Sequence, residues 1–246
     1  MKNLLIYIHP ECKFGEEETT AIKIQIDNSL DLGWKPDDII LCTNFEYEYN
    51  GVRAEVLLSD HFCEFCPPAS KVNVFITLCR KKLKDEIYWF HDLDVYQLEY
   101  FDESNVGDFI SIAICNYGRR PKFNTGSIFF KRNAKDIFRH IKFSCYKHLR
   151  DEEWAFRRLI LEKEHLWDRV KVLNISYNFT SFNFGSNYRA AEKPLKTAHF
   201  HFDNRPVNPK NPKPNQIDFF LLGKNKYGIQ IVPERLLKIF RKHGVI

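Results

Sequence analysis

No apolar run in the 246-residue sequence reaches the ~18 residues that a membrane-crossing helix needs. The opening Met1-Lys2-Asn3-Leu4-Leu5-Ile6-Tyr7-Ile8 is too short, and too soon followed by charge, to be a signal peptide. Both absences lead to the expectation of a protein that stays in the cytoplasm and has no membrane partner. A disulfide framework is missing as well. Cys12, Cys42, Cys63, Cys66, Cys79, Cys115 and Cys145 are odd in number and scattered through apolar segments, so they read as reduced thiols. His61, Cys63 and Cys66 could supply half of a zinc site, but such a site needs about four ligands and no second pair follows at suitable spacing.

What is present describes a globular protein. The residues are 44% hydrophobic and 28% charged, and the length favours one large α/β domain over two small ones. The net charge of +5 is unevenly placed. From Arg205 onward nine Lys/Arg stand against Asp218 and Glu234 alone, so this tail carries +7 and the remainder about −2. A basic surface attracts anions such as phosphates, although a solvated lysine-rich face is the commoner reason for one.

Apolar runs at 4–8, 38–43, 54–58, 87–91, 109–115, 123–130 and 170–175 suit strands, and helical patterns cover 17–32, 70–83 and 134–149. Gly33 ends the first helix, and Val72, Phe75, Ile76, Cys79 and Leu83 share one face of the second. This alternation predicts an α/β fold with a mainly parallel, Rossmann-like sheet and helices on both faces, in which ligands sit beyond the carboxyl ends of the strands. Residues 1–205 would form that domain. Residues 206–246 would add a stiff Pro-rich linker over 206–214, a strand-like run from Phe219 to Leu222, and a basic helix starting at Pro233. Leu236, Leu237, Ile239 and Phe240 would pack this helix onto the same domain and leave Lys238, Arg241 and Lys242 exposed.

The chemistry concentrates where the strand Ile87-Tyr88-Trp89-Phe90-His91 runs into Asp92-Leu93-Asp94. Two neighbouring carboxylates repel. Their place at the end of a buried strand is most simply explained by a divalent cation, and hard oxygen ligands suit Mg²⁺ or Mn²⁺. A solvated strand end is the plainer alternative. Asp151, Glu152 and Glu153 precede an apolar helical run, where negative charge opposes the helix dipole. Arg119, Arg120 and Lys122 share a loop and are candidate anion contacts, while alternation puts His199 and His201 on one face of an extended run.

The strand, the Asp-x-Asp and the polar turn after it resemble the signature of GT-A nucleotide-sugar glycosyltransferases, in which a metal bridges the protein and the donor diphosphate. Phe123-Asn124-Thr125-Gly126-Ser127, about thirty residues on, resembles that family's Asn-Ala/Thr-Gly segment. The resemblance implies that Asn124, Thr125 and Gly126 lie beside the donor sugar, with Gly126 permitting close approach because it has no side chain. His199 and Arg205-Pro206 match the spacing of a His and a Lys-Pro in glycogenin-like enzymes, with Phe202 standing where those enzymes carry Gly. This implies Asp92, Asp94 and His199 on the metal, with His201 competing for that place among the donor-binding residues. It also implies Arg205 on the diphosphate, where a guanidinium is a good bidentate partner. An acid near the reacting centre is implied at Asp151 or Glu152, either being the general base if the enzyme inverts. The expected cofactors are Mn²⁺ or Mg²⁺ and a nucleotide-sugar, UDP-linked by preference.

Further stretches, among them Ile26-Asp27-Asn28-Ser29-Leu30 and Pro233-Glu234-Arg235-Leu236-Leu237, resemble small phage-type glycosyltransferases related to the enzyme that makes base J. That resemblance implies DNA as partner and 5-hydroxymethylpyrimidine as acceptor, flipped into the site, with Arg119, Arg120 and Lys122 on phosphates. If the chain is viral, its place would be the host cytoplasm. Two other functions compete: a transferase of the same fold acting on lipopolysaccharide, capsule or a viral glycan, and an inactive nucleotide-sugar- or DNA-binding module.

Overall fold

A computed structural model describes residues 1–80, 86–116, 122–202, 206–208 and 211–246. Its first strand, β1 (Lys2–Tyr7), is the apolar run near the start of the chain. Leu4 and Leu5 point to opposite faces and are both fully buried, Leu4 in a cluster with Val72, Phe75 and Phe138, Leu5 in one with Ile22 and Ile26. Helices therefore cover both sides of the sheet, as the continuous apolar run requires. Helix α1 (Glu16–Asp31) begins with three glutamates that oppose its dipole and ends before Gly33, whose φ of +91° suits glycine.

Strand β2 (Ile39–Thr43) is followed by β3 (Glu48–Tyr49) and β4 (Val52–Val56). Asn50 and Gly51 join the last two with φ of 46° and 77°, the combination a two-residue hairpin turn demands. That turn sets the register and places β4 two residues earlier than the run at 54–58 suggested. Helix α2 (Ser70–Leu78) stops short of the expected Leu83, Cys79 capping it and Arg80 lying in a turn, and precedes β5 (Tyr88–His91) and β6 (Val95–Gln97); residues 81–85 lie outside the described ones. Then come β7 (Ile110–Asn116), β8 (Lys122–Phe130), α3 (Lys135–His148), α4 (Glu152–Glu162), α5 (Glu164–Trp167), β9 (Val170–Leu173), α6 (Phe184–Ala190) and β10 (Thr197–His199).

The main sheet has the order β3-β4-β2-β1-β5-β8-β7-β9. β4, β2, β1 and β5 run parallel, as do β7 and β9, whereas β8 is antiparallel to both β5 and β7. The break in parallel order has a simple cause. Only residues 117–121 separate β7 from β8, too few for a crossover between parallel strands. A smaller sheet pairs β6 with β10 antiparallel, and His199 lies opposite Val95.

The segment after residue 205 departs from the sequence reading twice. The described parts of 206–215, expected as a stiff Pro-rich linker, are extended but pair as an antiparallel ribbon of β11 (Pro206–Asn208) and β12 (Asn211–Asn215), with Pro206 opposite Asn215. Prolines are tolerated there because a two-stranded ribbon leaves many backbone N–H positions unpaired. The run at 219–222 is not a strand: helix α7 (Gln216–Phe220) occupies it, because the Asn215 side chain caps the helix by accepting the Asp218 N–H at 2.7 Å.

Helix α8 (Glu234–Lys242) packs as expected, with Leu236, Leu237, Ile239 and Phe240 buried. Its Lys242 and the following His243 reach Asp27 of α1 at 2.7 and 2.8 Å, and Asn50 donates to the same carboxylate at 2.6 Å. Burial pushes the Asp27 carboxyl up, but these partners outweigh it and hold its pKa below the usual range. A depressed carboxyl contributes stability above its unfolded pKa of ~3.9 and loses it as the pH falls through the folded value. Asp27→Asn is therefore expected to cost about 2 kcal/mol at neutral pH and lower the Tm by about 5 °C. The gap from wild type should close as melts are repeated from about pH 5 downward, and a gap independent of pH would show that Asp27 is not the group responsible.

Candidate active site

The Asp-x-Asp segment leaves β5 and turns at once into β6, the Val95 N–H donating to the Asp92 carbonyl at 3.0 Å. β6 is short and lies outside the main sheet, so α1 supplies what neighbouring strands would otherwise give. Gln25 donates to the carbonyls of Leu93 and Val95 at 2.8 and 3.0 Å, one on each side of Asp94, and Asn28 donates to the Gln97 carbonyl at 2.9 Å. Arg235 of α8 adds contacts to the carbonyls of Gln97 and Leu98. Two helices distant in sequence thus fix the backbone that carries Asp94.

Pairing of β6 with β10 then brings the histidines to that carboxylate. Asp94 Oδ2 lies 3.3 Å from His199 Nε2 and 3.4 Å from His201 Nδ1. Burial raises the Asp94 carboxyl, yet His199 and His201 outweigh it and hold it well below the usual range. The other ring nitrogen of His199, Nδ1, faces Asn178 Oδ1 at 3.1 Å. Asn178 in turn donates to Asn124 Oδ1 at 2.6 Å, and that oxygen also accepts the Gly126 N–H at 2.8 Å. The Asp92 N–H donates to the Gly126 carbonyl at 2.9 Å, which ties the Asp-x-Asp directly to Asn124-Thr125-Gly126. A Cβ on Gly126 would stand 2.7 Å from Asn124 Oδ1 and 2.9 Å from His199 Cε1. The space that glycine leaves is therefore filled by the His199 imidazole.

On the other side of Asp92 lies Lys71, the second residue of α2. Its buried ammonium is 3.1 Å from both Asp92 oxygens and 3.0 Å from Glu152 Oε1. Thr125 Oγ1 donates to the same Glu152 oxygen at 2.9 Å, while Oε2 is buried without a hydrogen-bond partner among the described residues. Burial works against charge on both residues. Asp92 and Glu152 nevertheless raise the Lys71 pKa, and Lys71 lowers that of Glu152, so the pair stays ionised. Asp151 behaves differently: its exposed carboxylate caps α4 by accepting the Trp154 N–H at 2.6 Å. Of the two acids that the sequence left equal, Glu152 is the one turned into the site.

Beside these residues opens a cavity of about 580 Å³, lined by Tyr7, the last residue of β1, by His9 beyond it, and by Glu17, Lys71, Asp92, Asp94 and His201. It lies beyond the carboxyl ends of β1 and β5, where an open α/β sheet binds ligands. The rings of Tyr7 and His9 stack at 5.8 Å on its wall. Asn44 holds the His9 backbone from both sides, accepting its N–H at 3.1 Å and donating to its carbonyl at 2.7 Å.

Among the described residues no three His, Cys, Asp or Glu side chains already stand in metal-coordination geometry. The donor chemistry nonetheless fits a divalent cation. Asp92, Asp94 and Glu152 bring three carboxylates to one ammonium, so negative charge is in surplus between Asp92 and Asp94. The separations of 3.3 and 3.4 Å from Asp94 Oδ2 to the two imidazole nitrogens are close to the about 3 Å between two ligands on one ion. Carboxylate oxygen with imidazole nitrogen suits Mn²⁺ better than Mg²⁺.

Asp92, Asp94, Asn124, Thr125, Gly126, Glu152, His199 and His201 are thus gathered into one region. Arg119, Arg120 and Arg205 lie outside the described residues, as does the side chain of Lys122. Sequence reading missed Lys71, Asn178, Tyr7, His9 and Asn44. Of these only Lys71 carried a usable signal, being the one charged residue in the apolar helix Ser-Lys-Val-Asn-Val-Phe-Ile-Thr-Leu.

No protein-family model matches the sequence, and no curated protein matches it significantly. Solved structures match by fold. The galactosyltransferase LgtC, in a crystal structure with donor and acceptor sugar analogues, is 12% identical with a TM-score of 0.57, over 99% of this chain and 100% of that one. A glycosyltransferase involved in glycosylation of the major capsid of PBCV-1 is 15% identical with a TM-score of 0.50, over 81% of this chain and 93% of the other. At such identities the likeness is one of fold, and the fold is the GT-A glycosyltransferase fold that the sequence led us to expect.

Removing Lys71 would leave Glu152 buried and uncompensated. Lys71→Met is expected to cost about 3–5 kcal/mol and to lower the Tm by about 10 °C. Lys71→Met combined with Glu152→Gln should regain a large part of that loss. Thermal melts of wild type and both variants test the coupling, and equal Tm values for single and double variants would count against it.

Proposed function

We propose that this chain is a metal-dependent glycosyltransferase that moves a sugar from a nucleotide-sugar to a hydroxyl of a glycan. The observation that carries the reading is the Asp94 carboxylate, flanked by His199 and His201, at the edge of a 580 Å³ cavity beyond the ends of β1 and β5. Asp94 and His199 would hold Mn²⁺ or Mg²⁺, with Asp92 and His201 as further ligands. Such an ion neutralises charge on a leaving nucleoside diphosphate. The stacked Tyr7 and His9 rings offer a flat wall for the base of a nucleotide, UDP by preference. Glu152, with its lowered pKa and an unpartnered Oε2, is a weak base and a ready acceptor for a hydroxyl group. We therefore assign it to orienting the sugar or the incoming hydroxyl. Thr125 and Lys71 hold it in place.

A glycan is preferred to DNA as acceptor for two reasons. LgtC was captured with an acceptor sugar analogue, and the PBCV-1 enzyme serves capsid glycosylation. Four of the tail's nine Lys and Arg are, moreover, paired within the protein. Arg235 pairs with Asp31, Arg241 with Glu234, Lys242 with Asp27 and Lys224 with Asp218. Cations already paired with the protein's own acids release fewer counterions to a phosphate backbone.

The test is Mn²⁺-dependent turnover of a panel of nucleotide-sugars, with saccharides and 5-hydroxymethyl-DNA as separate acceptors and mass spectrometry of the products. Asp94→Ala should lower kcat/KM by about 10³-fold, equivalent to about 4 kcal/mol. Transfer to DNA with none to any saccharide would replace the acceptor but keep the reaction. No metal-dependent loss of any donor would remove the reaction itself.

A further inference from the structure

The amide of Asn178 stands between a group whose polarity is certain and one whose polarity is not. Asn124 Oδ1 accepts the Gly126 backbone N–H at 2.8 Å, and a backbone N–H can only donate, so that atom is the oxygen. The Asn178 atom 2.6 Å from it must then be Nδ2. It follows that Asn178 presents Oδ1 to His199, at 3.1 Å from Nδ1. An amide oxygen only accepts. Asp94 Oδ2, 3.3 Å from Nε2, is an acceptor too, so the ring has an acceptor at each nitrogen; a cation on Nε2 would leave Asn178 holding the one remaining hydrogen on Nδ1.

Position is fixed along with polarity. Asn178 is fully buried, and the residue after it is bridged to β10: the Phe179 N–H donates to the Thr197 carbonyl and the His199 N–H to the Phe179 carbonyl. The whole chain of contacts needs a glycine at 126, because a Cβ there would meet both Asn124 Oδ1 and the His199 ring.

We propose that the Gly126 backbone N–H, acting through Asn124 and Asn178, sets the tautomer of His199 and so presents Nε2 to a cation, Asn124 and Asn178 being positioning residues. The proposal rests on His199 as metal ligand, the reading given above. A partner that fixes the ring nitrogen opposite the metal commonly changes metal affinity by about 10–100-fold.

Long-range ¹H–¹⁵N NMR of the protein with Mg²⁺ and UDP, the ion being diamagnetic, reads which ring nitrogen carries the hydrogen, and calorimetry with Mn²⁺ in the presence of UDP reads the affinity. Wild type should show Nδ1–H. Asn178→Leu should shift His199 toward Nε2–H and weaken Mn²⁺ binding by about 10–100-fold. Asn124→Asp, whose carboxylate still accepts both N–H groups, should keep the wild-type tautomer, a rescue that a merely structural role would not produce. Nε2–H in wild type would overturn the proposal without any variant needing to fold. So would an Asn178→Leu protein with unchanged tautomer and affinity. Nδ1–H in wild type with no Mn²⁺ binding would sink the metal reading of the site and leave the tautomer relay standing.

Discussion

The ammonium of Lys71 is the charge on which the site is built. Burial in α2 disfavours it, and burial equally disfavours Glu152, so each is tolerable only beside the other. Through these contacts α2, the end of β5, β8 and the first turn of α4 meet at one point, although they span residues 70 to 152. A buried ion pair of this kind adds little net stability compared with an apolar core. What it adds is a requirement that those elements meet in one arrangement. The same contacts that place the sheet and helices therefore also place Asp92 and Glu152.

Much of this could be read from the sequence, because a buried strand that breaks off into Asp92-Leu93-Asp94 violates its own pattern. His199 stood out by spacing, and Asn124-Thr125-Gly126 by type. Lys71 gave one signal, as the single charged residue of an otherwise apolar helix, but a helix buried on nearly every side has no polar face, so periodicity could not show that it points inward. Asn178 was illegible for another reason: its importance lies in the orientation of one amide, which depends on a backbone N–H more than fifty residues earlier. Asp151 and Glu152 could not be separated because a cap differs from a first helical residue only by where the helix begins. The Pro-rich stretch at 206–214 is legible only as extended, because proline restricts a backbone to conformations that serve a stiff linker and a solvent-edge ribbon alike.

Net charge is silent on a partner for a related reason. The excess of +7 after residue 204 is real, yet a count of residues cannot distinguish a solvated cation from one already paired. Arg235 is the clearest case, with contacts to Asn28 and Asp31 of α1 and to the backbone beyond β6. Its positive charge serves the fold.

The clamp made by α1 and α8 on β6 bears on how the protein comes to work during synthesis. Lys71, Asp92, Asp94, Asn124, Glu152, Asn178 and His199 are all made before Arg235, whose guanidinium holds the carbonyls next to Asp94's strand. A growing chain thus contains every site residue while β6 is held by α1 and β10 but not yet by α8. The last clamp on the strand beside Asp94 therefore closes only when the C-terminal helix folds, so the end of the chain completes a region whose other parts were all made earlier.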